Sequence, residues 1–123
     1  MCGIVGVYGG NLSNLKTANL LLKHRGPDDD GIYQDDKLKI GLGHRRLSII
    51  DTTSHGHQPM CSNDGKTILV FNGEIYNYKE LRSDLKRKGF SFQGKSDTEV
   101  LLNLYLSEGK EMLSKLNGIF AFA

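Results

Sequence analysis

Cysteine and proline are scarce in this chain of 123 residues, with two of each. Cys2 and Cys61 cannot form a disulfide framework, which excludes a small cross-linked secreted scaffold and favours a reducing, cytoplasmic setting. No apolar run approaches the roughly 20 residues of a membrane span. The N-terminus has no basic stretch followed by an apolar one, so it does not read as a signal peptide. The net charge is only +2, too little to argue for nucleic acid or an anionic membrane as partner. Repeats and low-complexity linkers are also absent. What remains is an ordinary globular balance, 38% apolar and 24% charged, in a length that suits one domain. Glycine is plentiful at fifteen residues, which suits tight turns and close backbone approach.

Hydrophobic periodicity sketches the elements. Ile4, Val5, Val7 and Tyr8 read as a buried strand closed by Gly9 and Gly10. Asn11 or Ser13 can cap a helix to about Lys23, with Leu15, Ala18, Leu21 and Leu22 on one stripe. His24-Arg25-Gly26-Pro27-Asp28 breaks it. Gly31–Tyr33 and Leu38–Leu42 read as strands around a polar turn at Gln34–Lys37, and Arg46–Ile50 as another strand ending at Asp51. A polar loop runs from Asp51 to Pro59. Thr67–Phe71 is the clearest strand and leads into Asn72-Gly73-Glu74. Asn77 with Glu80 resembles a capping box for a helix carrying Tyr78, Leu81 and Leu85. Lys86, Arg87 and Lys88 suit its C-terminus. Ser96 with Glu99 is a second capping box, opening a helix with Val100, Leu101, Leu104 and Tyr105 inside. A short helix near Glu111–Leu116 precedes an apolar strand, Gly118–Ala123. That strand ends the chain with no polar cap, so its edge is expected to be unpaired and the domain to continue. The order of elements suggests sheets covered by helices in layers.

Position 2 carries the chemical question. Aminopeptidases generally remove an initiator methionine that precedes a small residue. Cys2 would then bear a thiol and a free α-amine, with reference pKa values of about 8.5 and 7.7–8.0. The amine can serve as base for its own thiol, directly or through one water, without a separate His–Asp pair. A thiolate attacks a carboxamide to give an oxyanion, then a thioester and ammonia, and the oxyanion requires fixed donors. Met-Cys alone reads more readily as a small buried hydrophobe starting a strand.

Further stretches weigh on that choice. MCGIVGVYG, KHRGPDDDGIY, GHRRLSIIDTTSHGHQPM, LVFNGEIYNYKELR, SDTEVLL and LNGIFAFA, in that order, resemble the glutaminase domain of glutamine-hydrolysing asparagine synthetases. These are class II glutamine amidotransferases of the N-terminal nucleophile hydrolase fold. The resemblance covers essentially the whole chain. It implies an α+β protein, a four-layer αββα sandwich, represented here by its N-terminal part over residues 1–123. RRLSIID and NGEIYN fit this branch better than the related sugar-phosphate transaminases and phosphoribosyl amidotransferases.

The resemblance implies roles residue by residue. Cys2 matches the nucleophile. Asn72, by its side-chain amide, and Gly73, by its backbone N–H, match the oxyanion hole. Arg46 matches the group that grips the α-carboxylate of L-glutamine, a task suited to a forked guanidinium. Glu74 and Asp97 match the acceptors of the α-ammonium. Taken without the resemblance, Asn-Gly after a strand is a common hairpin turn. Arg46 is then a solvated strand arginine, Glu74 a loop carboxylate, and Asp97 a first-turn helix carboxylate favoured by the dipole. A zwitterionic amino acid nevertheless calls for one cation and one or two anions. Arg45 is expected to point away from Arg46, since strand side chains alternate. Arg25, in a structural turn, is a weaker candidate for supporting the site. Tyr76 and Tyr78 read as packing residues.

His55, His57 and Cys61 match no common zinc spacing, so no metal is expected. The resemblance implies no cofactor for glutamine hydrolysis. It implies ATP and magnesium only for a C-terminal synthetase domain, an ATP-pyrophosphatase that receives the ammonia and whose Gly-Ser-rich loop is not found in these residues. A homodimer is compatible with it. Two other outputs stay open: a silent glutamine-binding module, and an amidotransferase serving a sugar or cell-surface precursor.

Overall fold

Two short-period apolar strands meet at the start and middle of the first sheet. In the computed structural model, which describes residues 2–49 and 53–123, β1 (Gly3–Tyr8) lies antiparallel to β3 (Ile40–Arg46), with Ile4 opposite His44 and Gly3 opposite Arg45. β2 (Asp29–Asp35) flanks β3 on its other edge, giving the order β1-β3-β2. A single turn of 3-10 helix, Leu12–Asn14, leads into α1 (Leu15–Leu21), which packs on β1 and β3. Strand alternation sorts the faces. The β-carbon directions of Gly41 and Gly43 meet Leu15 and Asn19 of α1, so Leu42, His44 and Arg46 face away from that helix. One step beyond the Gly3–Arg45 pair, Cys2 shares that second face with Arg46.

The second half builds the opposing layer. β4 (Met60–Cys61) pairs with β5 (Ile68–Leu69). β6 (Phe71–Ile75) pairs with β7 (Gly118–Phe122), Asn72 opposite Ala121 and Glu74 opposite Ile119. α2 (Tyr78–Arg87) and α3 (Asp97–Glu108) pack on each other, and α3 packs on β6. Phe71, Ile75, Leu81, Leu85, Val100, Leu101, Leu104 and Met112 form the core on that side, joined by Phe120 and Phe122. β1 contacts β6. The order is helix, sheet, sheet, helices, the four-layer arrangement. Among the described residues no helix is long and apolar enough to cross a membrane.

Several boundaries differ from the sequence expectation. The strand expected at Arg46–Ile50 ends at Arg46, and Leu38–Leu42 gives only its last residues to β3. Ile50 and Asp51 lie outside the described residues. Leu38 stays 63% exposed because it sits in the β2–β3 turn. Leu21 (73% exposed) and Tyr8 (85%) are not buried, since each stands at the end of an element, past its packing partners. Asp29 and Asp30 belong to β2 and not to the turn before it. Thr67–Phe71 is interrupted: β5 ends at Leu69 and β6 starts at Phe71. Val70 between them exchanges backbone hydrogen bonds with Ala123 at 2.9 and 3.0 Å. Asn72-Gly73-Glu74 is therefore strand, not a hairpin turn. β7 has a partner in β6, and among the described residues no strand pairs with its other edge.

Helix starts also differ. Asn77 does not cap α2 with its side chain. Its amide instead donates to the Lys115 carbonyl and accepts from the Asn117 N–H, tying α2 to the segment before β7. Ser96 does cap α3, its Oγ accepting from the Glu99 N–H at 3.2 Å. The segment Gly109–Lys115 is 3-10 helix. Tyr78 packs on the core, whereas Tyr76 is 55% exposed.

Candidate functional site

The two sheets enclose a cavity of about 180 Å³ where β1, β3, β6 and the start of α3 converge. Cys2, Arg46, Asn72, Gly73, Glu74 and Asp97 all line it. These residues stand as far apart as positions 2 and 97, so the fold is what brings them together.

Each is held differently. The Cys2 thiol is part-buried and clasped by one residue: the Leu47 N–H donates to Sγ at 3.3 Å, and the thiol reaches the Leu47 carbonyl at 3.6 Å. Arg46 is 7% exposed, and its guanidinium donates to the Thr53 carbonyl at 2.8 Å. Arg45 leaves the opposite face, donating from Nε to the Gly26 carbonyl and pairing with Asp30. Arg45 does not line the cavity, nor does Arg25, which is exposed. The HRGPDDDG stretch serves the site indirectly, by anchoring the backbone of β3: the Asp28 N–H donates to the Arg46 carbonyl at 3.0 Å.

On the facing sheet, Asn72 and Glu74 line the cavity, Ile75 enters the core, and Phe71 belongs to the core while also lining the cavity. Asn72 Oδ1 is buried without a hydrogen-bond partner. That oxygen is an acceptor, so an oxyanion would have to be met by the Nδ2 amide of the same side chain. At Gly73 a β-carbon would stand 2.3 Å from the Ile119 carbonyl oxygen and 2.5 Å from the Phe120 Cα. Any side chain there would drive β6 from β7.

Asp97 is buried at the first position of α3, and its Oδ2 accepts from the Ile75 N–H at 3.1 Å. Burial pushes its carboxyl above the usual range; the Ile75 bond opposes that and the Glu74 charge adds to it. The cavity thus carries a thiol, one guanidinium, two carboxylates and amide groups. That set fits a zwitterionic amino acid at one end and a nucleophile's electrophile at the other.

Sequence reasoning missed the groups that join the walls. Gln58 is buried, accepts from the Phe71 N–H at 2.6 Å and donates to Thr98 Oγ1 at 3.2 Å. It connects β6, next to Asn72, with α3, next to Asp97. His44, fully buried, reaches the Phe71 carbonyl with Nε2 at 3.2 Å. A carbonyl only accepts, so Nε2 carries the proton and Nδ1, which has no partner, is the bare nitrogen. Burial lowers the His44 pKa to about 4, with the Arg46 charge adding to that and the Phe71 bond opposing it. An amide in a polar loop carries no signal of burial. His44 carried one, the alternation that sets it on the Arg46 face.

The loop histidines and Cys61 have separate partners. His57 pairs with Asp29 at 2.7 Å, His55 lies 3.3 Å from Thr53 Oγ1, and the Cys61 thiol donates to the Ser62 carbonyl. Among the described residues no group of three or more His, Cys, Asp or Glu could hold a metal ion.

The model of the glutamine amidotransferase domain matches residues 1–123. Glutamine-hydrolyzing asparagine synthetase 1 of Bacillus subtilis is 47% identical over 130 residues, covering 99% of this chain and 20% of the relative. Asparagine synthetase B of Escherichia coli K12 is 40% identical, covering all of this chain and 23% of the relative. Among solved structures, the glutamine phosphoribosylpyrophosphate amidotransferase of B. subtilis, complexed with ADP and GMP, superposes with a TM-score of 0.74 at 26% identity. That match covers 99% of this chain and 34% of the other. The chain spans about a fifth of the length of the curated relatives it matches.

Proposed function

The chain belongs to the glutamine amidotransferase domain family, and from that premise we propose that it hydrolyses L-glutamine to glutamate and ammonia through a Cys2 thioester. In a longer protein the ammonia feeds ATP-dependent formation of asparagine from aspartate in a C-terminal synthetase portion, the one step that uses ATP and magnesium. The two relatives, named as asparagine synthetases, support that output over a sugar or cell-surface acceptor. The compartment assigned by this reading is the cytoplasm, where the thiol stays reduced.

The sequence of steps follows from the groups present. After loss of Met1 the Cys2 α-amine takes the thiol proton. The sulfur electron pair forms a bond to the carboxamide carbon, and the C=O π pair moves to oxygen. Asn72 and the Gly73 N–H donate to that oxyanion. Collapse restores the carbonyl and breaks the C–N bond, and the α-ammonium returns its proton to the leaving nitrogen as ammonia. Water, deprotonated by the same amine, then attacks the thioester and releases glutamate and the thiol. Throughout, Arg46 holds the substrate α-carboxylate, and Glu74 and Asp97 hold its α-ammonium.

One observation carries this reading, the meeting of all six side chains or backbone groups at a single cavity. The test joins mass spectrometry of the N-terminus to ammonia release from glutamine. Turnover is expected only in molecules that have lost Met1, and its loss in Cys2→Ala. Undiminished release by the alanine variant would overturn the thiol mechanism. Thermal stabilisation by glutamine without ammonia from the processed chain would leave a binding module in its place.

A further inference from the structure

We propose that Gly56 is a positioning residue, its absent side chain being the seat of the Arg46 guanidinium. The inference rests on the glutamine reading above and adds what sets the grip on the α-carboxylate.

Gly56 closes a 3-10 turn, Ser54–Gly56, and is buried in the cavity wall. A β-carbon on it would stand 2.0 Å from one Arg46 Nη, 2.7 Å from Cζ and 3.3 Å from Nε. No real contact is that short, so the guanidinium occupies the volume where any other residue would place its first side-chain atom. The same turn supplies the hydrogen bond that orients it, from Arg46 to the Thr53 carbonyl at 2.8 Å. One short turn therefore both holds the fork and makes room for it.

The contrast with Gly73 separates this role from a folding role. A β-carbon at Gly73 meets backbone of the neighbouring strand, which cannot yield without breaking the sheet. At Gly56 the three nearest atoms all belong to the far end of one flexible side chain. The backbone of Gly56 is also not among those with positive φ, so alanine fits it. Gly56→Ala is thus expected to fold and to displace one group. A bidentate guanidinium–carboxylate contact tolerates little displacement, because both N–H bonds must point at both oxygens.

The experiment reads the thiol directly and does not depend on turnover. In the full chain carrying Cys61→Ser, so that a single thiol reports, alkylation of Cys2 is timed with two reagents. One is 6-diazo-5-oxo-L-norleucine, an electrophile with the α-carboxylate and α-ammonium of glutamine. The other is iodoacetamide, which has neither. Gly56→Ala is expected to raise the half-saturating concentration of the first roughly tenfold or more, with the saturated rate little changed. Iodoacetamide labelling stays as before, and the melting temperature falls by no more than the loss of the Arg46–Thr53 hydrogen bond accounts for. In an Arg46→Ala background the same change adds nothing, since the group it displaces is gone. Unchanged saturation by the glutamine-shaped reagent in Gly56→Ala overturns the seat alone. Equal slowing with both reagents, or a further loss on Arg46→Ala, overturns it as well, by locating the effect in the thiol or the fold. Absence of saturable labelling in the parent chain overturns the glutamine reading and the seat with it.

Discussion

At the scale of single residues, the cavity sets charge against stability. Asp97 is buried, and burial pushes its carboxyl above the usual range. A carboxylate with a raised pKa binds a proton more readily folded than unfolded. Its ionised form therefore weakens the fold once the pH exceeds its unfolded pKa, and does so fully above the folded one. At neutral pH the fold carries that cost. Asp97→Asn keeps an oxygen for the Ile75 N–H and removes the charge. The variant is expected to melt higher than the parent at pH 7, with the gap closing in acid. It should also bind glutamine roughly tenfold or more weakly, having lost one proposed charge-assisted partner of the α-ammonium. Calorimetric melts at pH 7 and pH 4 beside glutamine titrations check both arms. A variant less stable at pH 7 would show that the carboxylate is structural.

At the scale of elements, His44 is the side chain through which β3 reaches β6. Its pKa falls from 6.5 to about 4 because burial leaves no water to solvate an imidazolium. The sign follows from proton counting. Between those values the unfolded chain holds a proton on His44 that the folded chain does not. The stability contributed by neutral, buried His44 is thus complete above pH 6.5 and drains as the pH falls towards 4. The loss from this group is about 2 kcal/mol by pH 5 and about 3 kcal/mol below pH 4. His44→Gln keeps an N–H donor for the Phe71 carbonyl and cannot titrate. Urea midpoints at pH 7.5 and 5.0 should fall markedly for the parent and much less for the variant. Parallel falls would place the acid sensitivity elsewhere.

At the scale of the whole molecule, the cavity lies between two sheets drawn from separate halves of the chain. Cys2 comes from the residue just before β1 and Arg46 from β3 of the first sheet, Asn72 to Glu74 from the second, and Asp97 from the helix behind it. What the sequence disclosed matches that division. Periodic stretches such as Ile4–Val7 and Val100–Leu104 announce their elements because each repeats a local pattern. Cys2, Arg46, Asn72, Gly73, Glu74 and Asp97, six of the residues that line the cavity, stand out through their motif contexts. The ends of elements do not, since burial of Leu21 or Tyr8 depends on what lies opposite. Gln58 was invisible for the same reason: its partners are the Phe71 N–H and Thr98, thirteen and forty positions away. Its consequence is a prediction about the assembled molecule. Gln58→Ala leaves a buried Phe71 N–H and the Thr98 hydroxyl unpaired, at a cost of about 1–3 kcal/mol. Both wounds flank the cavity, one beside Asn72 and the other beside Asp97. Strand and helix content should therefore survive while the grip on glutamine weakens. Gln58→Glu, which retains an acceptor for the Phe71 N–H, should recover part of it. Far-ultraviolet circular dichroism alongside glutamine titration distinguishes the outcomes. Undisturbed glutamine binding in Gln58→Ala would show that the two walls hold their spacing without this bridge.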